Sequence, residues 1–224
     1  MNVGYKPTNV IVMAQHAAGL PPALARRVPG VFRPQDAGDV YAQPRAELRR
    51  LATAGLLRQL GTGYYARVPQ HRTADRDWRP DLHAAALAMA QADYGLDRAA
   101  LMHLSAARRL GVVPRELSVA IVAVPKQRPK REVLGGRVNF VKRNLTTLDL
   151  QRDETELGPG WVTTAEQTLL DVAHKPTLAV DDPQLIEQVI RALGRKADWD
   201  LVDELAGRQR KRAAAFRARA LSGA

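Results

Sequence analysis

The sequence predicts an α/β protein of the α+β type, and three observations support this prediction. A run of helix-forming residues at 43–54 leads directly into two short strand-like segments at 56–68. Residues 117–124 are rich in β-branched side chains, which is typical of a buried strand. Alanine-rich helical patterns precede and follow that strand. With 224 residues, the chain is long enough to bury the cores of two small domains.

The helix at 43–54 is the predicted centre of the N-terminal part. Pro44 suits the first helical position and Gly55 suits the cap after the last turn, where φ is usually positive. At 100° per residue, Leu48 and Leu51 share one face. The opposite face and its border carry an amide, a hydroxyl and guanidinium groups, which contact base edges and phosphates in a major groove. These predicted DNA-contacting residues are Gln43, Arg45, Arg49, Arg50 and Thr53.

A hairpin is predicted directly after this helix, with its turn at Gly61-Thr62-Gly63. Arg58 and Arg67 lie on its two strands and Thr62 in its turn, and we expect all three to contact DNA as well. A short helix at 32–40, entered through Pro34, is predicted to cross the DNA backbone. Together with an apolar run at 9–18, these elements predict a winged helix-turn-helix over residues 1–70. The alternative is a helix-hairpin unit whose basic face is only solvated.

The second predicted domain spans residues 81–224, after a polar linker at 71–80. Asp81 and Asp97 are predicted to cap two helices, the second reaching residue 110. The strand at 117–124 is followed by another at 137–143, which gives a small sheet flanked by helices.

Later elements are predicted from shorter signals. Strands at 148–150 and 161–162 are separated by an acidic turn, and residues 163–166 match a capping box that begins a helix. Asp171 lies within that helix, where we expect it to pair with a basic neighbour. Pro183 follows the cap Asp182 of the next helix. A last helix begins near Trp199 and continues into a basic tail, with Phe216 and Leu221 as its apolar anchors.

Basic charge is clustered in this chain, whose net charge is +11. Residues 125–143 carry seven basic side chains and one acidic one, whereas residues 144–190 carry nine acidic and two basic ones. Two prolines make 125–131 an exposed loop. We predict a second contact with nucleic acid or a protein partner there, a solvated hairpin loop being the alternative. Its basic residues are Lys126, Arg128, Lys130 and Arg131.

Several classes of function are disfavoured by composition. The chain has no cysteine, and its five histidines show no metal-ligand spacing. It also lacks a glycine-rich phosphate loop, and Ser105 falls in a helix without an obvious base. No stretch of about 18 apolar residues or signal peptide is visible. We therefore expect a cytoplasmic protein that is not an enzyme, with no catalytic residues, metal, cofactor or membrane contact.

Four motifs together resemble the AbiEi family of antitoxins. They are G-x-G-Y-Y at 61–65, H-L-S-A-A-R-R-L-G-V-V-P at 103–114, I-V-A-V-P at 121–125 and V-T-T-A-E-Q-T-L-L-D at 162–171. The resemblance extends from about residue 36 to residue 173. In the family an arginine usually stands where this chain has Gln167.

The resemblance implies an antitoxin that represses its own operon, binding promoter repeats in duplex DNA through the winged helix. Its partner would be a nucleotidyltransferase-like toxin, counteracted through the C-terminal domain. As a type IV system it would not need stable contact with the toxin. We expect a monomer or a weak dimer. Alternatives are an antitoxin that binds its toxin directly and a module that binds RNA through the loop 125–131 and the tail.

Overall fold

A computed structural model describes residues 19–223 of the chain. The predicted apolar run at 9–18 lies outside the described residues. The architecture is α+β, as the sequence predicts. Its helices pack on two sheets, an antiparallel sheet of three strands and a mixed sheet of six. No helix in the described part has the length and hydrophobicity of a membrane span.

The N-terminal part combines a three-stranded sheet with one longer helix. Its elements are α1 (Pro22–Ala25), β1 (Val31–Phe32), a 3-10 turn (Pro34–Ala37), α2 (Pro44–Thr53), β2 (Leu57–Gly61) and β3 (Tyr64–Arg67). The strands pair antiparallel in the order β1-β3-β2. The predicted hairpin is confirmed, and Gly63 has a φ of 80° in its turn, a conformation that glycine adopts without a Cβ clash.

The rest of the chain forms a six-stranded mixed sheet between two layers of helices. Its elements are α3 (Leu82–Tyr94), β4 (Ala100–Leu101), α4 (His103–Arg109), β5 (Val119–Val124), β6 (Arg131–Val133), β7 (Gly136–Lys142), β8 (Leu150–Thr155), β9 (Gly158–Thr163), α5 (Ala165–His174), α6 (Pro183–Gly194), α7 (Trp199–Arg208) and α8 (Arg212–Ser222). The strand order is β6-β7-β5-β4-β9-β8. Helices α5 to α8 cover one face, and α3 covers the other.

Both faces of the three-stranded sheet are covered. Phe32, Leu57 and Tyr65 pack against α1 and α2, whereas Val31 and Ala66 pack against α3. Helix α3 is therefore enclosed by sheets on two sides, which explains why its alanines between residues 84 and 90 are buried on every face of the helix. The backbone N–H of Gly30 donates to the Leu157 carbonyl over 2.8 Å, joining the two parts directly. The division into domains at 71–80 stays a prediction, and Trp78 within that segment is buried in the shared core.

Three predicted elements were wrong in form because strand pairing overrides local pattern. The helix expected at 32–40 is β1 plus a single 3-10 turn, since Phe32 pairs with Tyr65. The helix expected after Asp97 begins only at His103, because β4 pairs with both β5 and β9. The acidic turn expected between the later strands is part of β8, where Asp153 pairs with Arg109 over 2.7 Å.

Two predictions for the C-terminal helices also need correction. The cap of α5 is Thr164 rather than Thr163, and Glu166 accepts a hydrogen bond from the Asp198 N–H instead of closing a capping box. The last helix is two helices, because Arg210 adopts a φ of 56° between α7 and α8. Phe216 is 77% exposed and anchors nothing within residues 19–223, whereas small alanines of α8 pack against the core.

Candidate nucleic-acid interface

Helix α2 is oriented by its two buried leucines. Leu48 and Leu51 pack on the three-stranded sheet, and Pro44 occupies the first turn as predicted. The helix ends at Thr53, and Gly55 just beyond it has a φ of 78°. With the leucines facing inward, the 3.6-residue period turns Arg45 and Arg49 toward solvent.

An open groove runs between the first turns of α2, the preceding 3-10 turn and the tip of the β2–β3 hairpin. Its volume is about 900 Å³. Four of the predicted DNA-contacting residues line it, namely Gln43, Arg45, Arg49 and Thr62. The sequence did not single out Arg33, Gln59 or Tyr64, which also line it. We call this surface the α2 groove.

The arginines of α2 differ in their partners. Arg50 pairs with Glu47 over 2.9 Å, whereas within residues 19–223 neither Arg45 nor Arg49 forms an ion pair. Thr53 is exposed, and its hydroxyl donates to the Arg49 carbonyl over 3.2 Å. The two unpaired guanidinium groups keep all their donors for a ligand.

The two hairpin arginines do not line the groove. Arg58 lies on the sheet face toward α3 and donates to the Arg76 carbonyl. Arg67 donates to the Ala25 carbonyl, which ties β3 to α1. Both guanidinium groups therefore have partners within the chain.

A partly buried polar cluster joins the groove wall to α3. Asp93 accepts hydrogen bonds from the Tyr64 hydroxyl at 2.8 Å, from Arg33 at 2.9 Å and from Arg128. Burial raises the pKa of the Tyr64 hydroxyl, and the neighbouring Asp93 carboxylate raises it further. The donor groups come from positions up to 95 residues apart (33 and 128), so no local sequence signal could reveal this cluster.

The basic loop 125–131 adjoins the groove. Arg131 lies over the ring of Tyr64, with 5.6 Å between the guanidinium carbon and the ring centroid. Lys126 and Lys130 are exposed. Arg128 turns inward instead and stacks over Phe140 at 4.5 Å. Three of the loop's four cations are thus exposed, and Arg131 among them lies beside the hairpin.

We searched the described residues for side chains that could hold a metal ion or act as a nucleophile. Within 19–223 no group of three or more His, Asp or Glu side chains is arranged to hold a metal ion. The Ser105 hydroxyl lies 3.0 Å from Nδ1 of His83 and accepts the Ile121 N–H, but Ser105 is fully buried. This pair packs the helices against the sheet and presents no nucleophile to solvent.

Comparisons with known proteins agree with this architecture. The crystal structure of the RV2827C protein from Mycobacterium tuberculosis superposes with a TM-score of 0.55 over 89% of this chain and 73% of that one. At 18% sequence identity this likeness shows a shared fold. No curated protein matches the sequence. Residues 20–68, which include α2 and its groove, match the family of transcriptional regulators described as AbiEi antitoxins, which confirms the resemblance for this segment.

Proposed function

We propose that this protein is an antitoxin and transcriptional autorepressor that reads duplex DNA of its own promoter with the α2 groove. The observation that carries the proposal is a pair of exposed arginines on α2, Arg45 and Arg49, which form no ion pair within residues 19–223 and line a groove with Thr62 at the hairpin tip. A helix followed by such a hairpin has the layout of a winged helix, in which the helix enters the major groove. The regulator family matched by residues 20–68 supports this reading.

Different residues would serve base reading and phosphate binding. Gln43 precedes α2 as its N-cap, and Arg45 and Arg49 lie on its first two turns, the part of a recognition helix that meets base edges. Arg50 and Thr53 lie further along the helix, where they would contact the phosphate backbone of the DNA. Lys130 and Arg131 would extend the phosphate contacts onto the loop beside the hairpin. Arg58 and Arg67 would hold the hairpin in place, given their contacts within the chain.

The test is a binding titration with single variants on two duplexes, the DNA upstream of the gene and a scrambled duplex of equal length. Arg49→Ala should cost about 1–3 kcal/mol on the promoter duplex and much less on the scrambled one, because a bidentate base contact is lost. Lys196→Ala, which removes an exposed cation outside the groove, is the matched control. Equal losses for both variants would refute base reading by α2.

The loop makes a separate contribution that the same assay can measure. Lys130→Ala with Arg131→Ala should weaken binding to both duplexes alike and reduce the slope of log K against log salt by about 1–2. An unchanged slope would leave the loop outside the DNA interface.

Antitoxin action would reside in the C-terminal part and act on a nucleotidyltransferase-like toxin. Separation of the two activities tests this: Arg49→Ala should weaken repression of a promoter reporter and still protect cells that express the toxin. Loss of both activities at wild-type protein levels would contradict the assignment of repression and antitoxin action to different parts of the chain. Co-purification of the two proteins through high salt would instead favour direct binding to the toxin.

A further inference from the structure

A small basic pocket opens on the other side of the sheet from the α2 groove. It lies between the end of β7, helix α5 and the break between α7 and α8, and its volume is about 310 Å³. Half of its twelve lining residues are basic, namely Lys142, Arg143, His174, Lys175, Arg208 and Lys211. Asp171 is the one carboxylate among the lining residues. We call it the Asp171 pocket.

Within residues 19–223, only one of the two oxygens of the Asp171 carboxylate accepts hydrogen bonds. Its Oδ1 atom accepts from Lys211 Nζ at 2.7 Å and from Arg143 Nη1 at 3.0 Å. Its Oδ2 atom is buried, and no donor within residues 19–223 reaches it. The Asp171 side chain is only 1% exposed. A buried carboxylate oxygen that accepts no hydrogen bond destabilises the folded protein, so a ligand that donates to this atom would be favoured.

The local charges do not balance either. Arg143 and Lys211 share a single carboxylate, and Lys142, Lys175 and Arg208 surround them. Burial lowers the pKa of the Lys211 ammonium, although Asp171 opposes this, and it lowers the pKa of His174, with the charge of Lys211 adding to the effect. Arg208, at the edge of the pocket, also forms an ion pair with Glu204 over 3.6 Å, and both side chains of this pair are exposed. An anion in the pocket would stabilise this excess of cations.

We propose that the Asp171 pocket binds a small phosphate compound, either orthophosphate or a phosphate monoester. The phosphate oxygens would take the donors of Lys175, Arg208 and Arg143. A protonated phosphate oxygen would donate to Asp171, which provides the acceptor that a fully deprotonated anion could not use. The volume fits the lower end of ligand pockets, which suits a phosphate group with a small organic portion. This site is independent of DNA binding by the α2 groove.

Calorimetric titration of the full chain tests the proposal, with potassium phosphate, ribose 5-phosphate and sodium sulfate as probes at equal ionic strength and neutral pH. Phosphate should bind saturably and about 10-fold or more tightly than sulfate, because sulfate carries no proton for the carboxylate. Tighter binding of ribose 5-phosphate would identify a monoester as the ligand. Equal or weaker binding of ribose 5-phosphate would identify orthophosphate.

Variants show whether binding occurs in this pocket. Lys175→Ala with Arg208→Ala removes two exposed cations of the lining and should weaken phosphate binding about 10-fold or more, while Lys196→Ala should leave it unchanged. Circular dichroism checks that both proteins are folded. The proposal would be overturned by equal affinity for phosphate and sulfate, by undiminished binding to the double variant, or by no saturable binding of any probe.

Discussion

The α2 groove and the Asp171 pocket are both basic, but their cations are held differently. In the groove, Arg45 and Arg49 extend from a helix face into solvent and pair with no acid in the described part of the chain. In the pocket, Arg143 and Lys211 converge on one carboxylate that is 1% exposed. Exposed cations can be removed with little effect on folding, whereas buried ones are part of the fold. The basic residues of the groove are therefore available for binding alone, whereas the buried members of the pocket also stabilise the fold.

The largest loss of stability should come from removing the carboxylate at the centre of the Asp171 pocket. Asp171→Ala leaves Arg143 and Lys211 without their shared acceptor and should lower the free energy of unfolding by about 3–5 kcal/mol. Urea denaturation measures this. Asp181→Ala, at an exposed carboxylate without an ion pair in residues 19–223, should change stability by less than about 0.5 kcal/mol. Equal losses at the two positions would show that the buried cluster contributes nothing to the fold.

The histidine beside the pocket should make stability depend on pH. His103 is fully buried, and burial lowers its pKa to about 4 although the Lys175 carbonyl and Asp171 oppose this. Between about pH 4 and 6.5 the unfolded chain therefore binds a proton that the folded one does not, and stability falls as pH falls, by roughly 3 kcal/mol over that window. Burial also lowers the pKa of His83, which adds to the slope.

Urea denaturation between pH 7 and pH 4.5 tests this prediction. His103→Gln keeps a donor for the Lys175 carbonyl and should make the decline shallower than in the wild type. Parallel curves for the two proteins would show that His103 does not cause the decline.

A smaller effect should follow from the cluster that supports the groove. Asp93→Asn removes the charge shared by Arg33, Tyr64 and Arg128, and should cost about 1–3 kcal/mol of unfolding free energy. Asp75→Asn, in an exposed pair with Arg72, should cost less than about 0.5 kcal/mol. If Asp93→Asn proved as mild as the control, the groove wall would not depend on α3.

The sequence predicts best what local periodicity determines. Helix α2, its cap at Gly55 and the hairpin turn at Gly63 follow from spacing alone, and so does the outward orientation of Arg45 and Arg49. Strand β4 could not be predicted, because only pairing with two distant strands makes residues 100–101 extended.

Side chains in tertiary contacts are the other limit. The periodic pattern of the hairpin places Arg58 on a strand surface, but it does not reveal that the Arg76 carbonyl accepts a hydrogen bond from its guanidinium group. The expected pairing of Asp171 was correct in kind. Its partners Arg143 and Lys211 are 28 and 40 residues away in sequence, and only the tertiary structure brings the segment after β7 and the start of α8 to Asp171.

The central claim is that the α2 groove reads DNA sequence, and one titration tests it most directly. The full chain is titrated at several salt concentrations with the duplex upstream of its gene and with the scrambled duplex. A sequence-reading repressor should prefer its own promoter by about 10³-fold or more at physiological salt, with a steep salt slope on both duplexes. Weak and equal binding to both would mean that Arg45 and Arg49 serve only as a solvated basic face, and would contradict the account.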